Sequence, residues 1–97
     1  MATYLLLLNF TDQGIHNIRD TTKWAEAFKS TAGKAGGKVK DVYWTLGQYD
    51  GVVILEAPDE ATATALGLSL GSLGNVRIQT LRAFTAEEIS QILAKMS

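Results

Sequence analysis

Tyr4-Leu5-Leu6-Leu7-Leu8-Asn9-Phe10 is apolar at successive positions and stops abruptly at Asn9-Phe10-Thr11-Asp12, so it reads as a short strand buried on both faces. Thr11 and Asp12 can cap a first helical turn containing Ile15 and Ile18. The period then becomes helical. With Asp20 or Thr21 as cap, Trp24, Phe28 and Ala32 recur at every fourth position on one face, until Gly36-Gly37 ends the element. From Lys38 to Leu46 the period is two, Val39, Asp41, Tyr43 and Thr45 alternating with Val42, Trp44 and Leu46. The turn Gly47-Gln48-Tyr49-Asp50-Gly51 leads into a third strand, Val52 to Ala57, closed by Pro58. Asp59 caps a helix rich in small residues, with Leu66, Leu70 and Leu73 on its buried stripe and Gly71, Gly74 and Asn75 at its end. Val76 to Ala83 form a fourth strand. Thr85 and Glu88 then make a capping box for a last helix carrying Ile89, Ile92, Leu93 and Met96.

The order is β-α-β-β-α-β-α, which predicts an α+β fold: a ferredoxin-like split βαββαβ unit with an extra C-terminal helix, spanning 1–97 as a single domain. Its four-stranded antiparallel sheet has the order 4-1-3-2, and right-handed crossovers put both main helices on one face. The first and third strands are apolar on both sides, as central strands should be, and the second and fourth alternate, as edges should. Helices on one face leave Leu5, Leu7, Val52 and Ile54, or their neighbours, facing water on the other. Burying one such side chain is worth about 1.5–3 kcal/mol, so the face needs a cover. The last helix could fold back over it. A second copy stacking sheet on sheet suits a self-complementary face better, and a homodimer is expected, or a higher homo-oligomer.

Composition adds exclusions. With 97 residues, 46% apolar and 20% charged, the chain is an ordinary folded one, and it lacks cysteine, so disulfides and thiolate chemistry are out. That agrees with a cytoplasmic location. A net charge of −1 with dispersed lysines gives no footprint for nucleic acid. No run is long enough to span a membrane, and no basic stretch precedes the first strand, so neither membrane association nor a signal peptide is expected.

Strand directions bring three segments to one end of the sheet: Asn9, Thr11, Asp12 and His16; Gln48, Tyr49 and Asp50; and Ser72, Asn75 and Arg77. Alternation points Asn9, Tyr43, Thr45, Arg77 and Gln79 away from the helices. The candidate ligand-binding residues are therefore Asn9, His16, Tyr43, Thr45, Tyr49, Asp50 and Arg77. His16 alone titrates near neutral pH and is the candidate acid/base, set against a plain surface histidine beside Asp12. Arg77 suits a carboxylate held bidentately, or an ion pair with Asp12, Asp50 or Glu56. Tyr49 and Asp50 have a structural reading as well, Asp50 capping its own turn and Tyr49 packing over a neighbouring strand. One histidine with Asp12 and Asp50 is too few ligands for a metal site, and Gly71-Ser72-Leu73-Gly74 lacks the lysine and the position of a phosphate loop. No cofactor is expected.

Gly47-Gln48-Tyr49-Asp50 resembles the signature of the GYD-domain family, and Leu8-Asn9-Phe10-Thr11, Gly14, Ile18, Gly71–Arg77 and Thr80–Phe84 fit the same pattern over nearly the whole chain. The resemblance implies a ferredoxin-like fold of the dimeric α/β-barrel type and no particular activity. Barrels of that type include cofactor-free monooxygenases, isomerases, decarboxylases and ligand-sensing domains. Three functions follow as expectations. The first is a homo-oligomeric small-molecule-binding protein with its pocket between the helices and the stacked sheets. The second is an assembly module using the Gly-x-Tyr-Asp hairpin as a subunit contact. The third is a cofactor-independent monooxygenase or isomerase with His16 as acid/base.

Overall fold

In a computed structural model, which describes residues 1–96, the strands are β1 (Ala2–Phe10), β2 (Lys38–Trp44), β3 (Gly51–Ala57) and β4 (Val76–Ala83). The helices are α1 (Asp12–His16), α2 (Thr21–Lys34), α3 (Glu60–Ser72) and α4 (Ala86–Leu93), with a 3-10 turn at Ile18–Asp20. The sheet order is β2-β3-β1-β4, the expected 4-1-3-2 read from the other edge, and every pairing is antiparallel. Among the described residues no helix is long and apolar enough to cross a membrane.

Side-chain parity sorts the sheet into two faces. Tyr4 and Leu6 of β1 and Val53, Leu55 and Ala57 of β3 are buried beneath α2 and α3, with Phe28, Ala32, Ala63, Leu66 and Leu70 supplying the helical side of the core. On the open face the register sets Tyr43, Val52, Leu7 and Gln79 in one row across the four strands, and Asp41, Ile54, Leu5 and Leu81 in the next. Its middle is therefore a patch of Leu5, Leu7, Val52, Ile54 and Leu81, rimmed by polar side chains. The last helix does not cover it. No residue of α4 is buried, and its stripe of Ile89, Ile92 and Leu93 stands in solvent.

Some local readings change. Val39 lies on the helix face with Val42, because a bulge between Val39 and Asp41 inserts Lys40 and resets the alternation. Strand β2 ends at Trp44, so Leu46 falls in the loop and is fully exposed. Leu73 follows the end of α3 and is also exposed. Asp20 precedes α2 without a side-chain capping bond, whereas Thr11, Asp59 and Thr85 cap as expected.

Two junctions fix the end of the sheet where the candidate residues gather. At the first, the Thr11 backbone N–H donates to the Asn75 carbonyl at 3.1 Å and its hydroxyl donates to the Gly74 carbonyl at 2.5 Å. The Gln13 amide donates to the Leu73 carbonyl and to Asn75 Oδ1. Gly14 is buried here, and a Cβ at that position would overlap the Asn75 carbonyl. The second junction is Asp50. Its Oδ2 accepts the Phe10 N–H at 2.9 Å while its own N–H donates to the Leu8 carbonyl at 2.8 Å, so the carboxylate ties the loop to β1 instead of capping its own turn.

Each junction yields an expected outcome. Gly14→Ala should destabilise by about 1–3 kcal/mol, the usual cost of forcing volume into a packed site, measured as a lowered denaturant midpoint at unchanged slope. Asp50→Ala should cost about 1–3 kcal/mol through the lost charged acceptor, with Asp50→Asn losing less because one oxygen still accepts. At the start of α4, the Thr85 N–H and then Arg82 hold the Glu88 carboxyl below its ordinary range. A lowered folded-state value means stability present above the unfolded pKa and lost as pH falls through the folded one. Acid titration of helicity should show that loss, and Glu88→Gln should remove it.

Candidate functional site

The loop between β2 and β3 builds the rim of the open face. Gly47 sits at φ 113°, which a glycine adopts without strain, and lets the chain reverse. The Thr45 N–H donates to the Asp50 carbonyl at 2.9 Å and its hydroxyl donates to the Tyr49 carbonyl at 2.6 Å, closing the loop. With the backbone held at both ends, Tyr49 reaches across β1, and its hydroxyl donates to Gln79 Oε1 on β4 at 2.8 Å. Asn9, facing the same side from β1, donates its amide N–H to the Gln48 carbonyl at 3.3 Å. Its Oδ1 is buried and without a hydrogen-bond partner among the described residues. Arg77 is opposite Asn9 in the β1–β4 register, is exposed, and takes part in no ion pair among the described residues.

These side chains line a shallow open groove of about 300 Å³ formed by Leu7, Asn9, Gln48, Tyr49, Arg77, Ile78 and Gln79. Asn9, Tyr49 and Arg77 are thus brought together. Tyr43 shares the face and the row of Leu7 and Gln79, on the far edge strand. Thr45 and Asp50 spend their polar groups on the loop and on β1. His16 stands apart: it ends α1, is exposed, and lines neither this groove nor the cavities described below. Strand parity puts Gln79 on this face without marking it as a ligand-binding residue. The bond it makes to Tyr49 has no other signal in the sequence.

Under the helices there is little room. Trp24 meets Phe10 edge-on at 6.3 Å, and the Trp44 indole N–H donates to the Thr21 hydroxyl at 3.0 Å. The apolar cavity between them, lined also by Phe28, Val42 and Val53, holds about 40 Å³. Ligand pockets usually run about 300–1,000 Å³, so this space takes water-sized occupants only. A second open groove, about 510 Å³, runs along the β4 edge below α3, where Gly67 and Gly71 keep the helix surface low beside Ile78 and Thr80. Among the described residues no group of three or more His, Asp and Glu side chains is gathered as metal ligands would be.

The arrangement is an apolar surface with a cation and amide groups at its rim. The chain is 31% identical over 90 residues to a Thermus thermophilus protein named glutamine synthetase and cystathionine beta-lyase binding protein, the match covering 92% of this chain and 95% of that one. It shares its fold with the crystal structure of TTHA0845, also from Thermus thermophilus, at a TM-score of 0.57 and 24% identity over 89% of this chain and 96% of the other. The family model of the GYD domain matches residues 4–93, which takes in β1 from Tyr4, the other three strands, the Gly47–Asp50 loop and both junctions that hold it. The chain belongs to the GYD domain family.

Proposed function

We propose that this chain is a binding protein acting as a homo-oligomer, whose open sheet face stacks on that of a second copy and whose assembled unit engages other proteins. The observation that carries this reading is the half-exposed patch of Leu5, Leu7, Val52, Ile54 and Leu81, which no element of the chain covers. Contiguous apolar surface with a polar rim is the anatomy of a protein contact, and a two-fold axis through the patch buries it with no further element. The name of the relative supports protein partners, and enzymes are the class it points to. Binding is favoured over catalysis because His16, the acid/base candidate, stands outside the groove that holds Asn9, Tyr49 and Arg77. A cytoplasmic location fits a cysteine-free chain of this kind.

A second reading has its own support. Arg77 has no ion pair among the described residues and shares the rim groove with the Asn9 and Gln79 side chains, a cation beside amide groups suited to a small ligand carrying a carboxylate. Stacking a second sheet over that groove would roof it and turn an open surface into an enclosed site. Asn9 and Arg77 would then bind the ligand beside Tyr49, with Thr45 and Asp50 bracing the loop and Tyr43, on the far edge strand, outside this groove.

Leu7→Lys places a charge in the middle of the patch and should convert the oligomer to a monomer with native far-UV circular dichroism, read by light scattering. An unchanged mass would remove the sheet-stacking reading. Purified glutamine synthetase and cystathionine beta-lyase, titrated separately by calorimetry, should give a saturable signal with at least one; silence with both would remove the enzyme-partner reading. Arg77→Ala should abolish thermal stabilisation by small amino-bearing carboxylates, and a wild-type chain that none of them stabilises would end the ligand reading.

A further inference from the structure

The two edges of the sheet are built differently. Strand β2 is blunted: it carries Lys38 and Lys40, and the bulge between Val39 and Asp41 interrupts its pairing. Strand β4 has none of these guards. It runs for eight residues in unbroken register with β1, holds no proline or lysine, and is uncharged through its middle, Ile78-Gln79-Thr80-Leu81. The Thr11 N–H donates to the Asn75 carbonyl in step with that register, so every second residue from there, Arg77, Gln79, Leu81 and Ala83, turns its backbone groups to β1. The N–H and C=O groups of Ile78, Thr80 and Arg82 therefore point outward from the sheet, and among the described residues none of them has a hydrogen-bond partner. The open groove of about 510 Å³ lies beside this row, with Gly67, Leu68 and Gly71 of α3 on one wall and Ile78 and Thr80 on the other.

We propose that the β4 edge binds an extended segment of a partner protein, which adds to the sheet as a fifth strand and carries a carboxylate for Arg77. The inference rests on the protein-partner reading above and names where and how that partner binds. A row of unpaired backbone donors and acceptors is matched by an extended peptide, because the repeat of the row is the repeat of a strand. A strand laid about 4.8 Å beyond β4 sends alternate side chains to the helix side. The groove receives them there, and small apolar ones suit the space beside Leu68 and Ile78. The other side chains continue the open face next to Gln79 and Leu81. Charge selects the occupant. Arg77 is exposed at the start of β4, lines the groove and has no ion pair among the described residues, whereas Arg82 is held by Glu88. Strand β4 contains no Asp or Glu, so a second copy pairing edge to edge through β4 brings no anion to Arg77, and a foreign acidic segment does.

Amide exchange followed by NMR, together with calorimetry, tests this on the full chain. In the protein alone the Ile78 and Thr80 amides should exchange fast, while those of Gln79 and Leu81 are protected by β1. Protection of all four means that a second copy already holds the edge, and overturns the inference. The probes are an acetylated and amidated peptide, Glu-Val-Thr-Val-Thr-Val, a copy of it N-methylated at alternate residues, and the two purified enzymes of the preceding calorimetry. The plain peptide should bind and slow exchange at Ile78 and Thr80, and the methylated copy should bind about tenfold more weakly or not at all. Thr80→Pro removes one outward donor without touching the β1 ladder and should weaken every bound probe about tenfold. Arg77→Glu leaves the backbone intact, and should reject the peptide while accepting its counterpart with Lys in place of Glu; this swap decides the matter should Thr80→Pro fail to fold. Silence of every probe overturns strand addition. A bound peptide with both enzymes silent leaves strand addition standing and removes the enzyme-partner reading; an enzyme held equally by wild type, Thr80→Pro and Arg77→Glu does the reverse.

Discussion

A sheet whose two middle strands are apolar on both sides, with helices for only one of them, is the constraint from which the rest of this molecule follows. Strands β1 and β3 put Tyr4, Leu6, Val53 and Leu55 under α2 and α3, and the same strands necessarily send Leu5, Leu7, Val52 and Ile54 the other way. Alternation along an extended chain allows no other outcome. In a protein of this size the helical core stabilises the fold, while the opposite face costs solubility unless something lies over it. The chain by itself thus covers one face of its sheet and leaves the other open.

The loop that gives the family its signature serves the fold first and the site second. Asp50 ties the loop to β1 through its carboxylate and its N–H, and Thr45 closes the loop behind it. Because the backbone is held so firmly, Tyr49 can cross β1 and bond to Gln79, putting an aromatic ring and a polar tip at the margin of the apolar patch. The Thr11–Gly14–Asn75 junction acts alike at the neighbouring corner, fixing where β4 starts and so where Arg77 lies. The motif residues are therefore mostly positioning groups. Arg77 is left without an ion pair among the described residues, and Asn9 Oδ1 without a hydrogen-bond partner.

Much of this was legible from the pattern of residues alone. Hydrophobic period gave the element order, strand apolarity separated centre from edge, and Thr11, Asp59 and Thr85 marked helix starts through a chemistry that is local by nature. Parity also placed Asn9, Tyr43, Arg77 and Gln79 on one face, since neighbours two apart on a strand must share a side. The same rule misassigned Val39, because one bulged residue at Lys40 shifts every position before it.

What the chain determined by itself were interactions between residues close in sequence: periods, caps, turns and the sides of strands. The tertiary structure alone decided the rest. It sent Asp50 to the Phe10 N–H of another strand, Tyr49 to Gln79, and Arg82 to a place between Tyr4, Phe84 and Glu88, and it turned α4 away from the sheet face. The physical reason is the same in each case. A local preference is satisfied within a few residues, whereas a distant partner is chosen by competition among all the surfaces that folding brings together.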